Sequence, residues 1–244
     1  MRKSRSAIRG SRHERSAIAV RGFLPLLVAG MCWHWARRGI ACLSAFWVND
    51  VTDSPRMVQL TGTTMWAPLL FGGAMGGVLG PADALYQELG VTLANSGIGL
   101  IRVGYRVPND TEKCVHDLVA AADLATRSGA RRFITMGHSF GGAPALQAAV
   151  ILQEHCAGVV TLATQSAGCE PAEDLATRVP VILFHGDKDE ILPLQASELV
   201  RMVIGGGELV PLPGAGHLLA EATDELRDRL TAWIPEKFEA HIKE

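Results

Sequence analysis

The stretch FITMGHSFGGAPALQAAV, residues 133–150, determines which fold this chain can adopt. Its first residues favour a strand and its alanine-rich second half favours a helix, and only Gly-His-Ser-Phe-Gly lies between them. A strand that turns directly into a helix forces the middle residue, Ser139, into positive-φ backbone and crowds its neighbours. Gly137 and Gly141 are expected to remove the side chains that would collide there. The hydroxyl of Ser139 would then stand above the end of the strand.

Strands and helices alternate on both sides of this turn. Several of the apolar runs are unbroken, which is typical of strands buried on both faces. We therefore predict an α/β fold with a mostly parallel central sheet covered by helices on both faces. The predicted strands are residues 67–73, 98–106, 131–139, 157–164, 179–187 and 207–214, and the predicted helices are 81–97, 110–129, 141–155, 193–204 and 220–234.

Reactive side chains follow three of the predicted strands. Ser139 ends one, the segment HGDKD (185–189) ends a second, and the segment GAGH (214–217) ends a third. In a parallel sheet such strand ends meet at one edge. A serine hydroxyl needs a base within hydrogen-bond reach, and the base needs a carboxylate that fixes its tautomer. The order serine, aspartate, histidine leaves room for one βα unit between successive members.

Four motifs in this order resemble the α/β-hydrolase fold family, and are similar to its dienelactone-hydrolase-like and small serine esterase branches. The resemblance covers residues from about 68 to 235. The motifs are LLFGGAMGG (69–77), GHSFGG (137–142), HGDKDEILP (185–193) and GAGH (214–217).

This resemblance implies a catalytic triad of Ser139, Asp189 and His217. It assigns the acid to Asp189 and leaves Asp187 as a turn residue, and it makes His138 and His185 structural supports. The backbone N–H of Phe140 would form one half of an oxyanion hole, since it lies at a helix N-terminus. The second donor would come from the loop after the first motif strand.

That loop departs from the family pattern. Phe71 occupies the position where relatives often carry histidine. A backbone donor does not depend on this side chain, so Gly73 or Ala74 can supply the N–H.

The implied function is a serine hydrolase that cleaves a carboxylic ester or thioester through an acyl-enzyme on Ser139. Two alternatives stay open. The same triad could serve an acyltransferase or a cofactor-free perhydrolase, or the fold could be a non-catalytic binding protein. Histidine and cysteine do not cluster at metal-ligand spacing, so we expect no metal and no cofactor.

The spacing between two strands bears on the substrate. Many relatives insert a helical lid between the strand that ends near Thr164 and the strand that begins near Val181, and here the segment is too short for a lid domain. We therefore predict an open, shallow site for a small-molecule ester or thioester. Gln165, Ser166 and Cys169 lie in this segment and could line the rim, although an ordinary loop is the simpler interpretation.

The charge of the chain and its cysteines give two further expectations, one about nucleic acid and one about disulfides. The net charge is −2, which gives no electrostatic reason to expect nucleic acid. The cysteines are odd in number and contain no CxxC pair, so we interpret them as reduced thiols. The sequence does not indicate an oligomeric state. The cysteines are Cys32, Cys42, Cys114, Cys156 and Cys169.

Residues 1–56 differ in composition from the rest. A basic, serine-rich start with Glu14 as its one acid up to residue 21 leads into the apolar run GFLPLLVAGMCW (22–33). We interpret 1–56 as a basic and apolar extension, disordered or non-native, and 57–244 as the catalytic domain, with a cytoplasmic location. Residues 18–45 could instead act as a secretory signal, an organelle presequence is a further alternative, and tryptophans flanking charge could place the extension on a membrane surface.

Overall fold

The computed structural model describes residues 59–61, 69–73 and 79–240. The predicted boundary between residues 56 and 57, and the predictions for residues 1–56, lie outside these ranges and stay predictions. The strands are β1 (Gln59–Thr61), β2 (Leu69–Gly73), β3 (Leu100–Val103), β4 (Phe133–His138), β5 (Cys156–Leu162), β6 (Val181–Gly186) and β7 (Glu208–Leu212), and the helices are α1 (Pro81–Ala94), α2 (Thr111–Arg127), α3 (Gly142–Leu152), α4 (Gln195–Val203) and α5 (Thr223–Ala240).

The strands form one seven-stranded sheet in the order β1-β3-β2-β4-β5-β6-β7. All neighbouring pairs are parallel except β1 and β3, which are antiparallel. The predicted α/β class with a mostly parallel sheet is confirmed. Strand β4, which leads into Ser139, lies in the middle of the sheet, so β2 and β5 support its end on both sides.

The two faces of the sheet are covered by different helices. One core cluster joins α1 and α5 to residues such as Met136 and Phe184. On the opposite face, α2, α3 and α4 pack in two clusters on residues such as Phe133 and Val159. Every residue of β3, β4, β5 and β6 is buried, as the unbroken apolar runs predict.

Strand β7 lies at the edge of the sheet and is only partly covered. Glu208 and Pro211 are exposed, whereas Leu212, its last residue, is fully buried. Proline is compatible with an edge strand because one side of that strand needs no ladder hydrogen bond. The buried end of β7 therefore anchors the loop that carries His217.

The segment between β5 and β6, residues 163–180, is fully described and contains two short 3-10 turns, Glu170–Ala172 and Leu175–Thr177. No lid domain is inserted in this segment, in agreement with the sequence. Among the described residues, no helix combines the length and the apolar character needed to cross a bilayer.

Candidate active site

The turn after β4 places Ser139 in strained backbone. Ser139 has φ of 55°, in the left-handed region that non-glycine residues seldom adopt, and begins a 3-10 turn, Ser139–Gly141, that continues into α3. A Cβ on Gly137 would overlap the backbone carbonyl of Gly141, and a Cβ on Gly142 would overlap the side chain of Thr164. Glycine is therefore required at position 137, as predicted. Gly142 also allows a close approach, to Thr164, which the sequence did not indicate.

Ser139, His217 and Asp189 lie in hydrogen-bond contact, although they come from three separate strand ends. The Oγ of Ser139 is 2.9 Å from Nε2 of His217, and Nδ1 of His217 is 2.7 Å from Oδ2 of Asp189. A carboxylate only accepts hydrogen bonds, so Nδ1 carries the proton and Nε2 is left to accept from the serine hydroxyl. The arrangement can remove a proton from Ser139.

The carboxylate of Asp189 is fully buried and its two oxygens have different partners. Oδ1 accepts from the backbone N–H groups of Ile191 and Leu192, both at 2.8 Å, while Oδ2 accepts from His217. Burial by itself would raise the pKa of Asp189. The hydrogen bonds from Leu192, His217 and Ile191 outweigh burial, and the pKa lies below its usual value. Asp189 is thus held as a carboxylate.

Asp187 has a different environment from Asp189. Its side chain is at the surface, where Oδ1 accepts from the backbone N–H of Gly214 at 2.7 Å. This bond links the loop after β6 to the loop after β7. The position agrees with the turn role that the resemblance implies for Asp187, whereas Glu190 and Asp174 are exposed.

The loops after β6 and β7 also touch directly. A Cβ on Gly186 would overlap the backbone carbonyl of Ala215, so glycine at the end of β6 is what allows the loop that carries His217 to approach. Lys188 N–H donates to the same carbonyl at 3.0 Å. These contacts fix the relative positions of the segments that carry Asp189 and His217.

Two further histidines surround the three residues. His138 Nε2 lies 2.9 Å from the backbone carbonyl oxygen of His217, and the two rings are 4.9 Å apart. His185 is completely buried beside Asp189 and contacts Ser197, a residue of α4 that the sequence analysis did not single out. A serine on the buried face of an otherwise amphipathic helix was the available signal, because buried hydroxyls require a partner.

Two of the predicted oxyanion donors, Phe140 and Gly73, lie next to Ser139 or beside the end of β4. Phe140 follows Ser139 at the N-terminus of a helical segment, where the first N–H groups have no intrahelical acceptor, and its ring packs edge-on against Tyr105 at 6.4 Å. Gly73 is the last residue of β2 and pairs with His138. Ala74 lies outside the described residues, and the choice between Gly73 and Ala74 stays open.

The residues proposed for the rim divide between surface and core. Gln165 and Ser166 are half-buried, and Gln165 donates its N–H to the carbonyl of Ser139 at 3.4 Å. Cys169 is fully buried and its thiol donates to the carbonyl of Gln165, so it does not line the rim. Cys114, Cys156 and Cys169 are all free thiols, while Cys32 and Cys42 lie outside the described residues.

Comparisons with known proteins bear on the family and the fold of this chain. The sequence profile of the phospholipase/carboxylesterase family matches residues 107–223, a range that contains Ser139, Asp189 and His217. No curated protein matches the sequence of this chain. The family match supports an ester-cleaving α/β hydrolase.

Solved structures share the fold at low sequence identity. Est1E from Butyrivibrio proteoclasticus has 18% identity and a TM-score of 0.60, covering 72% of this chain and 89% of its own. The dienelactone hydrolase from Anabaena variabilis gives the same four values. The monoacylglycerol lipase from Paleococcus ferrophilus has 15% identity and a TM-score of 0.54, covering 73% of this chain and 98% of its own. At such identities the likeness establishes the fold.

Proposed function

We propose that this α/β hydrolase is a serine esterase that cleaves carboxylic esters or thioesters through an acyl-enzyme on Ser139. The observation that carries the proposal is the buried hydrogen-bonded series from Ser139 to His217 to Asp189, with distances of 2.9 and 2.7 Å. A serine hydroxyl is a weak nucleophile at neutral pH unless a neighbouring base accepts its proton. The short distance from His217 Nε2 to the Ser139 hydroxyl supports His217 as that base.

In the first half-reaction the Ser139 oxygen attacks the substrate carbonyl carbon while His217 Nε2 accepts the hydroxyl proton. The imidazolium that forms lies beside the buried carboxylate of Asp189, which stabilises it and keeps the ring oriented. His217 then donates the proton to the departing alcohol or thiol. The acyl group remains on Ser139.

In the second half-reaction water replaces the leaving group. His217 Nε2 removes a proton from the water, the hydroxide attacks the acyl carbon, and the same proton returns to the Ser139 oxygen as the acid leaves. Both steps pass through an oxyanion. We assign its stabilisation to the N–H of Phe140 and to a second N–H from Gly73 or Ala74, where preorganised donors contribute a large part of the rate.

Segment 163–180 carries no inserted lid. Substrates would therefore reach Ser139 directly, without a lid that has to open at a lipid surface. We therefore expect small acyl groups to be accepted before long ones. The fold neighbours include a dienelactone hydrolase and a monoacylglycerol lipase, and neither name decides the acyl group for this chain.

Hydrolysis of a panel of short p-nitrophenyl esters and acyl-thioesters, with labelling by a fluorophosphonate probe, tests this proposal. The unmodified protein should turn over at least one substrate and be labelled at Ser139. Ser139→Ala should lose labelling and almost all turnover. Full esterase activity in Ser139→Ala would disprove the assignment, and absence of labelling in the unmodified protein would favour a non-catalytic α/β-hydrolase-fold protein.

A further inference from the structure

The geometry points to Ser197 and His185 as a pair of positioning residues that hold the Asp189 loop in its working arrangement. Neither residue reaches the Ser139 hydroxyl; both act through Asp189. The inference rests on the proposed function, since it takes Asp189 as the acid that orients His217. It assigns a role to the hydroxyl of Ser197 that neither the sequence motifs nor the family match provides.

The partners of the two ring nitrogens of His185 determine which nitrogen carries the proton when the ring is neutral. Nε2 is 2.9 Å from the backbone carbonyl oxygen of Leu192, and Nδ1 is 2.7 Å from Oγ of Ser197. A carbonyl oxygen can only accept, so Nε2 must carry a proton. The neutral ring then has a lone pair on Nδ1, and the Ser197 hydroxyl donates to it. By donating to Nδ1, the Ser197 hydroxyl disfavours the tautomer of His185 that carries its proton on Nδ1.

The bond from His185 to Leu192 closes the loop that carries Asp189. The carbonyl of Leu192 accepts from His185, while the N–H of Leu192 donates to Oδ1 of Asp189 at 2.8 Å. The loop up to Leu192 is therefore held at one end by His185, near the end of β6, and in its middle by the carboxylate of Asp189. Because Ser197 belongs to the first turns of α4, it ties this loop to a helix that packs on the sheet.

The Nε2–H group of His185 also lies close to the carboxylate of Asp189. Nε2 of His185 is 3.3 Å from Oδ2 of Asp189, the oxygen that accepts from His217, and the side chains of His185 and Asp189 are both completely buried. In so dry an environment an N–H dipole directed towards an anion is worth more than at the surface, and a lone pair facing it would be repelled. The tautomer that Ser197 supports is the one compatible with an ionised Asp189.

The first test reads the tautomer directly in the unmodified protein. With ¹⁵N-labelled histidine, NMR should show His185 with a protonated Nε2 and an unprotonated Nδ1, the assignment being made by loss of the signals in His185→Gln. A proton on Nδ1 of His185 would overturn the inference. The tautomer is read in the unmodified protein, and the variant serves only to identify which signals belong to His185.

The second test separates positioning from general support by kinetics. A displacement of about 1 Å in a catalytic group costs on the order of 100-fold in rate. We expect kcat to fall about 100-fold in His185→Leu, which removes the Nε2 donor. In Ser197→Ala, which keeps that donor, kcat should fall about 10-fold. His185→Gln keeps an N–H donor and should be less affected than His185→Leu. KM should stay unchanged because neither residue contacts substrate.

Thr161→Val is the matched control. Thr161 is a fully buried hydroxyl on β5 for which the described residues provide no hydrogen-bond partner, so its loss removes a buried oxygen without breaking a bond. A kcat for Ser197→Ala equal to that of Thr161→Val, or a change confined to KM, would overturn the inference. Activity surviving in Ser139→Ala would instead overturn the proposed function, so the two failures are distinguishable.

Discussion

His138 donates its Nε2–H to the backbone carbonyl oxygen of His217 at 2.9 Å, which ties the turn that carries Ser139 to the loop that carries His217. His138, the residue before Ser139, thus fixes the backbone at His217. His138 is buried, and among the described residues nothing bonds to its Nδ1. Burial lowers the pKa of His138 to about 4, so the ring is neutral in the folded protein near neutral pH.

Folding stability should therefore depend on pH through His138. Unfolding exposes the ring and returns its pKa to 6.5, the ordinary value for histidine. Between pH 6.5 and about 4 the unfolded chain takes up a proton that the folded chain does not bind, so the free energy of unfolding falls as the pH falls. The loss from this one group should reach about 3 kcal/mol and then level off below pH 4.

Urea unfolding of the unmodified protein and of His138→Gln across this pH range would measure the effect. The variant should lose the part of the pH dependence that belongs to His138. His155→Gln removes an exposed histidine and serves as the control. Identical pH dependence in the unmodified protein and in His138→Gln would contradict the assignment.

The two aspartates after β6 offer a matched pair for the acid. In Asp189→Asn an amide can donate to Nδ1 of His217 and reverse the tautomer, leaving Nε2 unable to accept the serine proton, so kcat should fall by about 10⁴-fold. In Asp187→Asn the amide oxygen can still accept from Gly214, and kcat should stay close to that of the unmodified protein. Steady-state kinetics on one p-nitrophenyl ester would compare them. The reverse ranking would move the acid to Asp187.

Most elements from Leu69 onward could be predicted because their apolar runs are long and bounded by glycine or proline. Strand β1 was missed since Gln59–Thr61 is a three-residue strand with no apolar run. The last helix was predicted to end at Ile234, before Pro235, but it continues to Ala240. Phe238, beyond the proline, is buried in the core, and this packing favours the longer helix despite the lost hydrogen bond.

The residues of the candidate site that lie in sequence motifs could be predicted, whereas the contacts that join one motif to another segment could not. Ser139, Asp189 and His217 follow recognisable strand ends, so topology alone brings them together. The bond from His185 to Ser197 joins a strand end to the buried face of a helix, and that from His138 to His217 ends on a backbone carbonyl. The sequence can suggest that the buried hydroxyl of Ser197 needs a partner, but it does not say which partner, because these contacts depend on loop geometry.

Gly137 should be the least replaceable glycine of the nucleophile turn. A methyl group at Gly137 would overlap the carbonyl of Gly141, which is backbone and cannot rotate away. We expect Gly137→Ala to lower the free energy of unfolding by about 3 kcal/mol. Gly129→Ala is the comparison, because Gly129 has φ of +100° and no atom within 4 Å, so only backbone strain of about 1 kcal/mol applies. Equal losses in urea unfolding would show that the turn can relax.

The strained backbone of Ser139 predicts that stability and activity oppose each other at this residue. With φ of 55°, any side chain carries a steric cost that glycine does not. Ser139→Gly and Ser139→Ala should both be inactive, yet the glycine variant should be more stable than the alanine variant by about 1 kcal/mol, although glycine gives the unfolded chain more freedom.

Urea unfolding of the two variants isolates this strain, because both lack the hydroxyl and its bond to His217. Gly129→Ala measures the steric cost of positive φ at a surface turn and should likewise lower stability. If Ser139→Ala proved as stable as Ser139→Gly, the nucleophile would occupy relaxed backbone. Its presentation towards His217 would then come from packing around Gly137 and Gly142 alone.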